Sequence, residues 1–463
     1  MHKKFKIKNF MYFILFTFSL FLSYLVGLLF YDSTTGLDYS KYFLNVRFFM
    51  GESVQLGDGN GSIYFYLISK AVSSNIFGIE SQNLSIHINN AIQSVNFVLY
   101  IIGLIGLFLI FKNRNTSNLD LLLSFTILSF LPMAFYFRLT MKPEVMGFTL
   151  LPWVIYFFES YFNQKTMLNR AMLTVILSIL LTIKGTITGT SLIILVYLYR
   201  KKLYQNKDTR ITLLTTGIIS SLLLYVNYMI TEFWVFSNNS SDLTNPERWN
   251  NTATIRFYTK IDFKNLLENP FQYVHSDSFF SITLLDTLSD YFGFFWKHEE
   301  RTNYISFDRV KFTNNFLIQE YLPQYISIIF TLSFYLFVLT ALYKKIEYSE
   351  FLIMPVIGLL ILIINSFGFP NKNFDPNTGD LFKAHYYSYL FAISFLTLLI
   401  ICAINLGTKK HLLLFFIPLF LLSMGFPKNI SSETEAALYE KMNISEVCLL
   451  FKSLDKINCS KKY

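Results

Sequence analysis

The sequence predicts an all-α, polytopic membrane protein with about eleven transmembrane helices and amphipathic helices in its outer-face loops. Three observations carry this. Of the 463 residues 53% are hydrophobic and only 15% charged, against about 25% charged in soluble domains. The apolar residues gather in runs of roughly 18 to 25 with almost no charge, the length that crosses a hydrocarbon core of about 30 Å. The lysines and arginines fall in alternate short connections, as the positive-inside rule requires. A soluble enzyme, a disordered chain and a disulfide-stapled mini-domain are excluded. The formal charge of +9 is not concentrated on an ordered soluble domain, so no nucleic-acid partner is expected.

The chain opens on His2-Lys3-Lys4-Phe5-Lys6-Ile7-Lys8 and then an apolar run over 10–31. That run is too long for a signal-peptide core and lacks a small-residue cleavage site, so residues 1–31 read as an uncleaved first anchor. An outer loop follows at 32–91, with an amphipathic stretch at Ser62–Ile76 suited to the membrane interface. A transmembrane core over 92–236 holds spans at 92–111, 120–137, 145–161, 171–183, 187–199 and 211–236. The pair within 171–199 is short for full crossings and reads as a broken or re-entrant hairpin meeting at Lys184-Gly185-Thr186. A large outer loop at 237–323 carries a second amphipathic stretch, Phe279–Trp296. C-terminal transmembrane helices occupy 324–425, as spans 324–343, 351–368, 386–406 and 411–425, and an outer tail covers 426–463. Cys402 reads as a small core residue, whereas Cys448 and Cys459 can pair if the tail faces an oxidising space.

With the N-terminus inside, the cytoplasmic connections hold Lys112 and Arg114, Lys165 and Arg170, Arg200-Lys201-Lys202 through Arg210, Lys344 and Lys345, and Lys409 and Lys410. The outer ionisable residues then remain to be explained. In the first outer loop these include Asp32, Asp38 beside Tyr39, and Asp58 within Gly57-Asp58-Gly59-Asn60-Gly61. A carboxylate just beyond a span end stands where a lipid-borne and a water-borne substrate meet, and it can accept a proton from a hydroxyl. A solvated loop aspartate is the plainer alternative.

The short outer link reads Arg138-Leu139-Thr140-Met141-Lys142-Pro143-Glu144. Pro143 suits a first helical turn and Glu144 the positive helix N-terminus. Arg138 and Lys142 offer cations at the outer interface, for a ligand or for lipid headgroups. Lys297 and His298 follow an aromatic cluster that serves either as an interfacial belt or as a sugar platform with a phosphate-binding cation. Lys383 and His385, at the mouth of a span, have the chemistry to hold a phosphate. Walker, HExxH, dinucleotide and GxSxG motifs are missing. So is any Asp-x-Asp pair that would clamp a nucleotide-sugar diphosphate through a metal. The spans carry few ionisable residues, with Lys184 and Glu232 near their ends, and no internal repeat stands out, which disfavours an ion-coupled transporter.

These pieces resemble the C-type (GT-C) superfamily of membrane glycosyltransferases, in particular the protein-mannosyltransferase and aminoarabinose-transferase branch. The resemblance lies in a basic N-terminus, one span, and an outer loop with Asp38-Tyr39, Tyr42, Gly51 and Gly57-Asp58-Gly59-Asn60-Gly61. It continues two spans later in Lys142-Pro143-Glu144-Val145-Met146-Gly147 and the run to Phe158-Glu159, and in the stretch from Asp286 to Trp296. The family often pairs two acids in the first loop, whereas Asp38 is followed by Tyr39, so Asp32, Asp38 and Asp58 all stay open as the base.

The resemblance implies an inverting glycosyltransferase, with Asp38 as general base and a polyprenyl-phosphate sugar as donor. Glu144 would orient the acceptor or assist Asp38, and cations drawn from Arg138, Lys142, Lys383 and His385 would meet the departing phosphate. The acceptor is a protein, a lipid or a growing glycan, and membrane lipids surround the chain. No cofactor is required, although Asp38 with Glu144 could hold a divalent cation. A bacterial inner membrane is expected, with the site facing the periplasm. The alternatives are an O-antigen or capsule polymerase using Arg248, Arg256, Arg301 and Arg309 of the large loop, and a lipid or polysaccharide transporter.

Overall fold

The computed structural model describes residues 2–30, 39–54, 56, 61–74, 84–205, 207–232, 255–268, 270, 278–286, 317–368 and 387–407. Among these residues the regular elements are all helices. In chain order they are α1 (His2–Phe30), α2 (Tyr39–Phe49), α3 (Ser62–Ser73), α4 (Leu84–Asn113), α5 (Asn118–Leu128) and α6 (Pro132–Leu139). Then come α7 (Glu144–Asn163), α8 (Met167–Leu181), α9 (Gly185–Gln205), α10 (Lys207–Thr231), α11 (Ile255–Thr259) and α12 (Phe263–Glu268). The last are α13 (Phe279–Asp286), α14 (Leu317–Tyr343), α15 (Ser349–Leu352), α16 (Met354–Gly368) and α17 (Ser388–Leu406).

Among the described residues, five stretches are long and apolar enough to cross a membrane: Phe10–Leu28, Ile88–Asn113, Glu144–Asn163, Lys207–Thr231 and Ser388–Leu406. Shorter apolar helices accompany them at Asn118–Leu128, Met167–Leu181, Ile328–Tyr343 and Ser349–Ile364. The expected span at 411–425 and the tail lie outside the described residues.

Prolines explain two departures from the predicted spans. The run predicted as one helix over 120–137 is divided into α5 and α6, with the break at 129–131 just ahead of Pro132. Pro132 has no N–H for the helix ladder and biases residue 131 away from helical geometry, so it starts a new helix instead of continuing the old one. The run 351–368 is likewise split into the single turn α15 and α16, whose second residue is Pro355. The short pair 171–183 and 187–199 is extended to α8 and α9, so each helix is longer than expected. Their junction at 182–184 is fixed by Thr188, whose hydroxyl donates to Leu181 O at 2.7 Å and to Lys184 O at 3.0 Å.

The central seam joins α4 to α7. A Cβ on Gly103 would come within 2.7 Å of the Phe148 ring, and one on Gly106 within 3.0 Å of Pro152 and 3.1 Å of Trp153. Small residues let the two backbones approach, and polar bonds then lock the register, as is usual between helices in lipid. Thr149 donates to Leu99 O at 2.9 Å, and Trp153 Nε1 to Ile102 O at 2.9 Å. Around this seam α8 packs on α7, α10 on α8, α1 and α17 on α5, and α2 on α3.

Helix α10 is inverted relative to a helix of a water-soluble protein. Thr209, Thr212, Thr216 and Ser220 are buried, while Leu214, Ile218 and Leu222 are 67%, 56% and 58% exposed. Its polar stripe faces α8, where Ser178 donates to Thr216 O at 3.3 Å. An apolar outer face is stable against hydrocarbon and unfavourable against water, which agrees with an integral membrane protein.

The bundle has two polar ends. At one, Arg114 just after α4 pairs with Glu159 of α7 at 2.6 Å and with Glu350 of α15. Tyr348 donates to Arg114 O at 2.9 Å, and the guanidinium lies over the Phe351 ring at 4.7 Å. The connections predicted to share one side are therefore in contact. Lys165 and Asp208 add a further link between two of them, at 3.4 Å. The other end is where the candidate residues gather.

Candidate functional site

Four segments that are distant in sequence meet at this second end. The turn at 182–184 accepts a backbone hydrogen bond from the first outer loop, Gly61 N to Ile183 O at 2.7 Å. Gly61 has φ +72, and a Cβ there would be 2.9 Å from Pro143 Cβ, so glycine answers both the left-handed backbone and the close approach of the 140–144 link. Helix α17 closes the group, because a Cβ on Gly147 would meet the Tyr389 ring at 3.2 Å. Tyr389 and Thr190 of α9 share a hydroxyl hydrogen bond at 2.7 Å.

Glu144 is at the centre. It opens α7 after Pro143, whose φ of −66 suits a helix start, and the helix N-terminus favours its negative charge. The residue is fully buried. Its Oε1 accepts from Lys184 Nζ at 2.7 Å, and Lys142, two residues upstream, adds a second positive charge. The phenols of Tyr64 and Tyr389 are close enough to feel this carboxylate. Oε2 meets no side-chain donor among the described residues, and the residue's own backbone N–H bears on the carboxylate. A buried carboxylate oxygen with so little satisfaction can take a further donor.

The pair is asymmetric. The Glu144 side chain is 1% exposed and that of Lys184 14%.

A second layer fixes the link. Tyr64 of α3 donates to Asn96 Oδ1 at 2.9 Å, and Asn96 Nδ2 donates to Thr140 O at 2.9 Å. Burial pushes the Tyr64 phenol well above its ordinary value, so it works here as a neutral hydroxyl. Tyr42 of α2 packs on Phe65 with ring centroids 4.9 Å apart, which ties α2 to the same wall.

The outer-link residues behave differently from the interfacial cations that were expected. Arg138 and Lys142 are 1% and 4% exposed, so neither is a lipid-headgroup contact. The Arg138 guanidinium is 5.2 Å from the Tyr100 ring centroid and 5.9 Å from that of Phe97, and it donates to Ser23 O of α1 at 3.4 Å. The break at 129–131 starts α6 as a separate helix, and its last residues are buried, where aromatic faces stabilise a cation.

Of the predicted residues, the structure brings Glu144, Lys142 and Arg138 into one buried link, and Tyr39 opens α2. Asp32, Asp38, Asp58, Lys297, His298, Lys383 and His385 lie outside the described residues. Glu159, part of the motif run from Glu144, is at the opposite end with Arg114. Lys184, Tyr64 and Asn96 were not anticipated as site residues. Lys184 did leave a signal, being a lysine on the side that the charge rule leaves poor in lysine.

Among the described residues no three His, Cys, Asp or Glu side chains form a set that could hold a metal ion. Cys402 is half-buried and unpaired, less enclosed than its apolar run suggested. No family model, curated protein or solved structure matches the chain.

Proposed function

We propose that the protein is an inverting membrane glycosyltransferase of the GT-C type, moving a sugar from a polyprenyl-phosphate donor to an acceptor hydroxyl at the outer face of the membrane. The observation that carries the reading is the buried Glu144–Lys184 pair, with a carboxylate oxygen that meets no side-chain donor among the described residues and with the charge of Lys142 acting on it. Such a site offers both things the reaction needs. A carboxylate oxygen can accept a hydrogen bond from the acceptor hydroxyl, and ammonium groups can meet a phosphate.

In this reading the acceptor oxygen attacks the anomeric carbon as the bond from that carbon to the phosphate oxygen breaks. The bonding electron pair leaves with the lipid phosphate, and the hydroxyl proton passes to Asp38. Glu144, ionised against Lys184, orients the hydroxyl. Lys184 and Lys142 stabilise the negative charge that grows on the leaving phosphate, with Lys383 and His385 as further candidates. A phosphomonoester leaving group needs one or two cations and no chelated metal. Asp38 directly precedes α2 in the sequence, and α2 packs on α3, whose Tyr64 borders Glu144.

The test is turnover of a labelled polyprenyl-phosphate sugar by purified protein. Asp38→Asn is expected to lower the rate about 10²–10⁴-fold, the usual contribution of a positioned acid–base group. Glu144→Gln should lower it less, because an amide still accepts a hydrogen bond. Full turnover by Asp38→Asn would remove Asp38 as the base.

A further inference from the structure

We infer that Tyr64 and Asn96 are positioning residues: their hydrogen-bonded pair holds the backbone of the 140–142 link and so sets where the Glu144 carboxylate stands. This rests on the proposed transfer reaction and deepens it at the same site. Three features support the assignment.

The first is what the pair holds. Residues 140–142 are neither helix nor strand, so no ladder fixes them, and Pro143, which follows, has no N–H to contribute. The link is gathered at one carbonyl instead. Thr140 O accepts from Asn96 Nδ2 at 2.9 Å and from Lys142 N at 2.9 Å. The Tyr64 phenol donates to Asn96 Oδ1 at 2.9 Å, and it is near enough to interact with the Lys142 backbone and the Glu144 carboxylate. The pair therefore grips the chain on both sides of Met141, just ahead of Glu144.

The second is the use of polar groups there. Tyr64 and Asn96 are both fully buried, and a buried phenol or amide is unfavourable unless it is bonded. Apolar side chains of the same shape would serve stability about as well, since replacing both members of a buried hydrogen bond is nearly neutral. What the bonds add is direction, because they hold the Thr140 carbonyl at one distance and one angle.

The third is the rigidity behind the pair. Tyr64 belongs to α3, whose start is docked by the bond from Gly61 N to Ile183 O at 2.7 Å, and whose Phe65 packs on Tyr42 of α2. Asn96 belongs to α4, which Thr149 ties to α7 through Leu99 O at 2.9 Å. Helix α7 is the one that Glu144 opens. Support from rigid elements keeps a reacting group within a fraction of an ångström of its place, and a misplacement of about 1 Å costs about 10²-fold in rate.

The test is the turnover of a labelled polyprenyl-phosphate sugar by full-length protein in detergent, expressed per folded protein. Tyr64→Phe, which removes one hydroxyl, is expected to lower kcat about fivefold, the weight of one neutral hydrogen bond. Asn96→Leu should lower it about 10²-fold, because the link loses its hold on α4. The donor KM should stay close to that of the unmodified protein in both, since a group acting in the transition state changes kcat and kcat/KM alike. Tyr199→Phe removes a buried hydroxyl at the other polar end, one that donates to Ile155 O at 3.3 Å, and should leave kcat unchanged. A merely structural pair lowers stability alone. Unchanged kcat per folded protein in Tyr64→Phe and Asn96→Leu, or a loss carried wholly by KM, overturns the assignment.

A second measurement does not depend on sugar transfer. Hydrogen exchange over residues 140–147, read by mass spectrometry, should be about fivefold faster in Tyr64→Phe, with α8 and α10 unchanged. Equal exchange over 140–147 overturns the proposal. Faster exchange there, in a protein whose unmodified form transfers no sugar, would remove the transfer reading and leave the hold on the link standing.

Discussion

Among the described residues, the two polar ends of the bundle use the same residue types in opposite proportions. At the Arg114 end, one cation faces two carboxylates, Glu159 and Glu350, with side chains 25%, 17% and 36% exposed. At the Glu144 end, a carboxylate that is 1% exposed faces Lys184 and Lys142. The first arrangement ties α4, α7 and α15 together with every charge near solvent, so each partner can be hydrated when the cluster opens. The second buries the minority charge and leaves one of its oxygens without a partner among the described residues. In the proposed reading that oxygen is where the acceptor hydroxyl would donate.

This comparison can be broken at several points, the most severe being Lys184→Met. It strips the buried carboxylate of its contact partner and should destabilise the protein by about 3 kcal/mol, the low end for breaking a buried pair, because Lys142 remains. Thermal unfolding in detergent measures it, and the double variant Glu144→Gln with Lys184→Met should recover most of the loss. A drop no larger than that of Arg114→Met would erase the distinction between the ends.

Next in size is the seam that holds the ends apart. Gly103→Leu forces a side chain into the Phe148 ring and should cost about 2 kcal/mol by overpacking. Gly217→Leu meets no atom within 4 Å of its new Cβ and should change the unfolding temperature little. Arg114→Met comes third, at about 1 kcal/mol, since partly exposed ion pairs are worth little. Added salt should narrow the gap between the protein and this variant, and affect Lys184→Met less.

The smallest effect is that of pH on the Arg114 clamp. Burial opposes its charge, but Glu159 and Glu350 outweigh burial and hold the guanidinium above its ordinary value. A group with a raised folded-state value contributes stability that is fully present below the unfolded value and lost only as pH rises through the folded one. The contribution of Arg114 should therefore stay flat through neutral and mildly alkaline pH. A stability difference between protein and Arg114→Met that shrinks on moving from neutral to mildly alkaline buffer would contradict this.

Much of this architecture was legible in the sequence because its signals are local and periodic. The long apolar runs at 92–111 and 386–406 fall within α4 and α17, and the basic connections holding Arg114 and Lys165 touch the partners expected on their side. What could not be read was the course of the chain at prolines. Hydropathy treats 120–137 as one run, yet Pro132 breaks it, and that break takes Arg138 from the expected interface into a buried aromatic setting. The site was half legible. Glu144 and Lys142 stood out as charges in a short link next to a helix start. Lys184 is 40 residues further on, and its pairing depends on how the α8–α9 break docks against Gly61 and Pro143, which no local pattern encodes. Tyr64 and Asn96 were hidden for the same reason, since polar residues in apolar helices look alike until their partners are known.

The most direct measurement is an electron cryo-microscopy structure of the protein with a polyprenyl phosphate bound. The proposed function predicts a phosphate oxygen about 2.8 Å from a lysine of the Glu144 end, Lys184 or Lys142, with the sugar facing the Glu144 carboxylate. A phosphate lodged away from both lysines would contradict it.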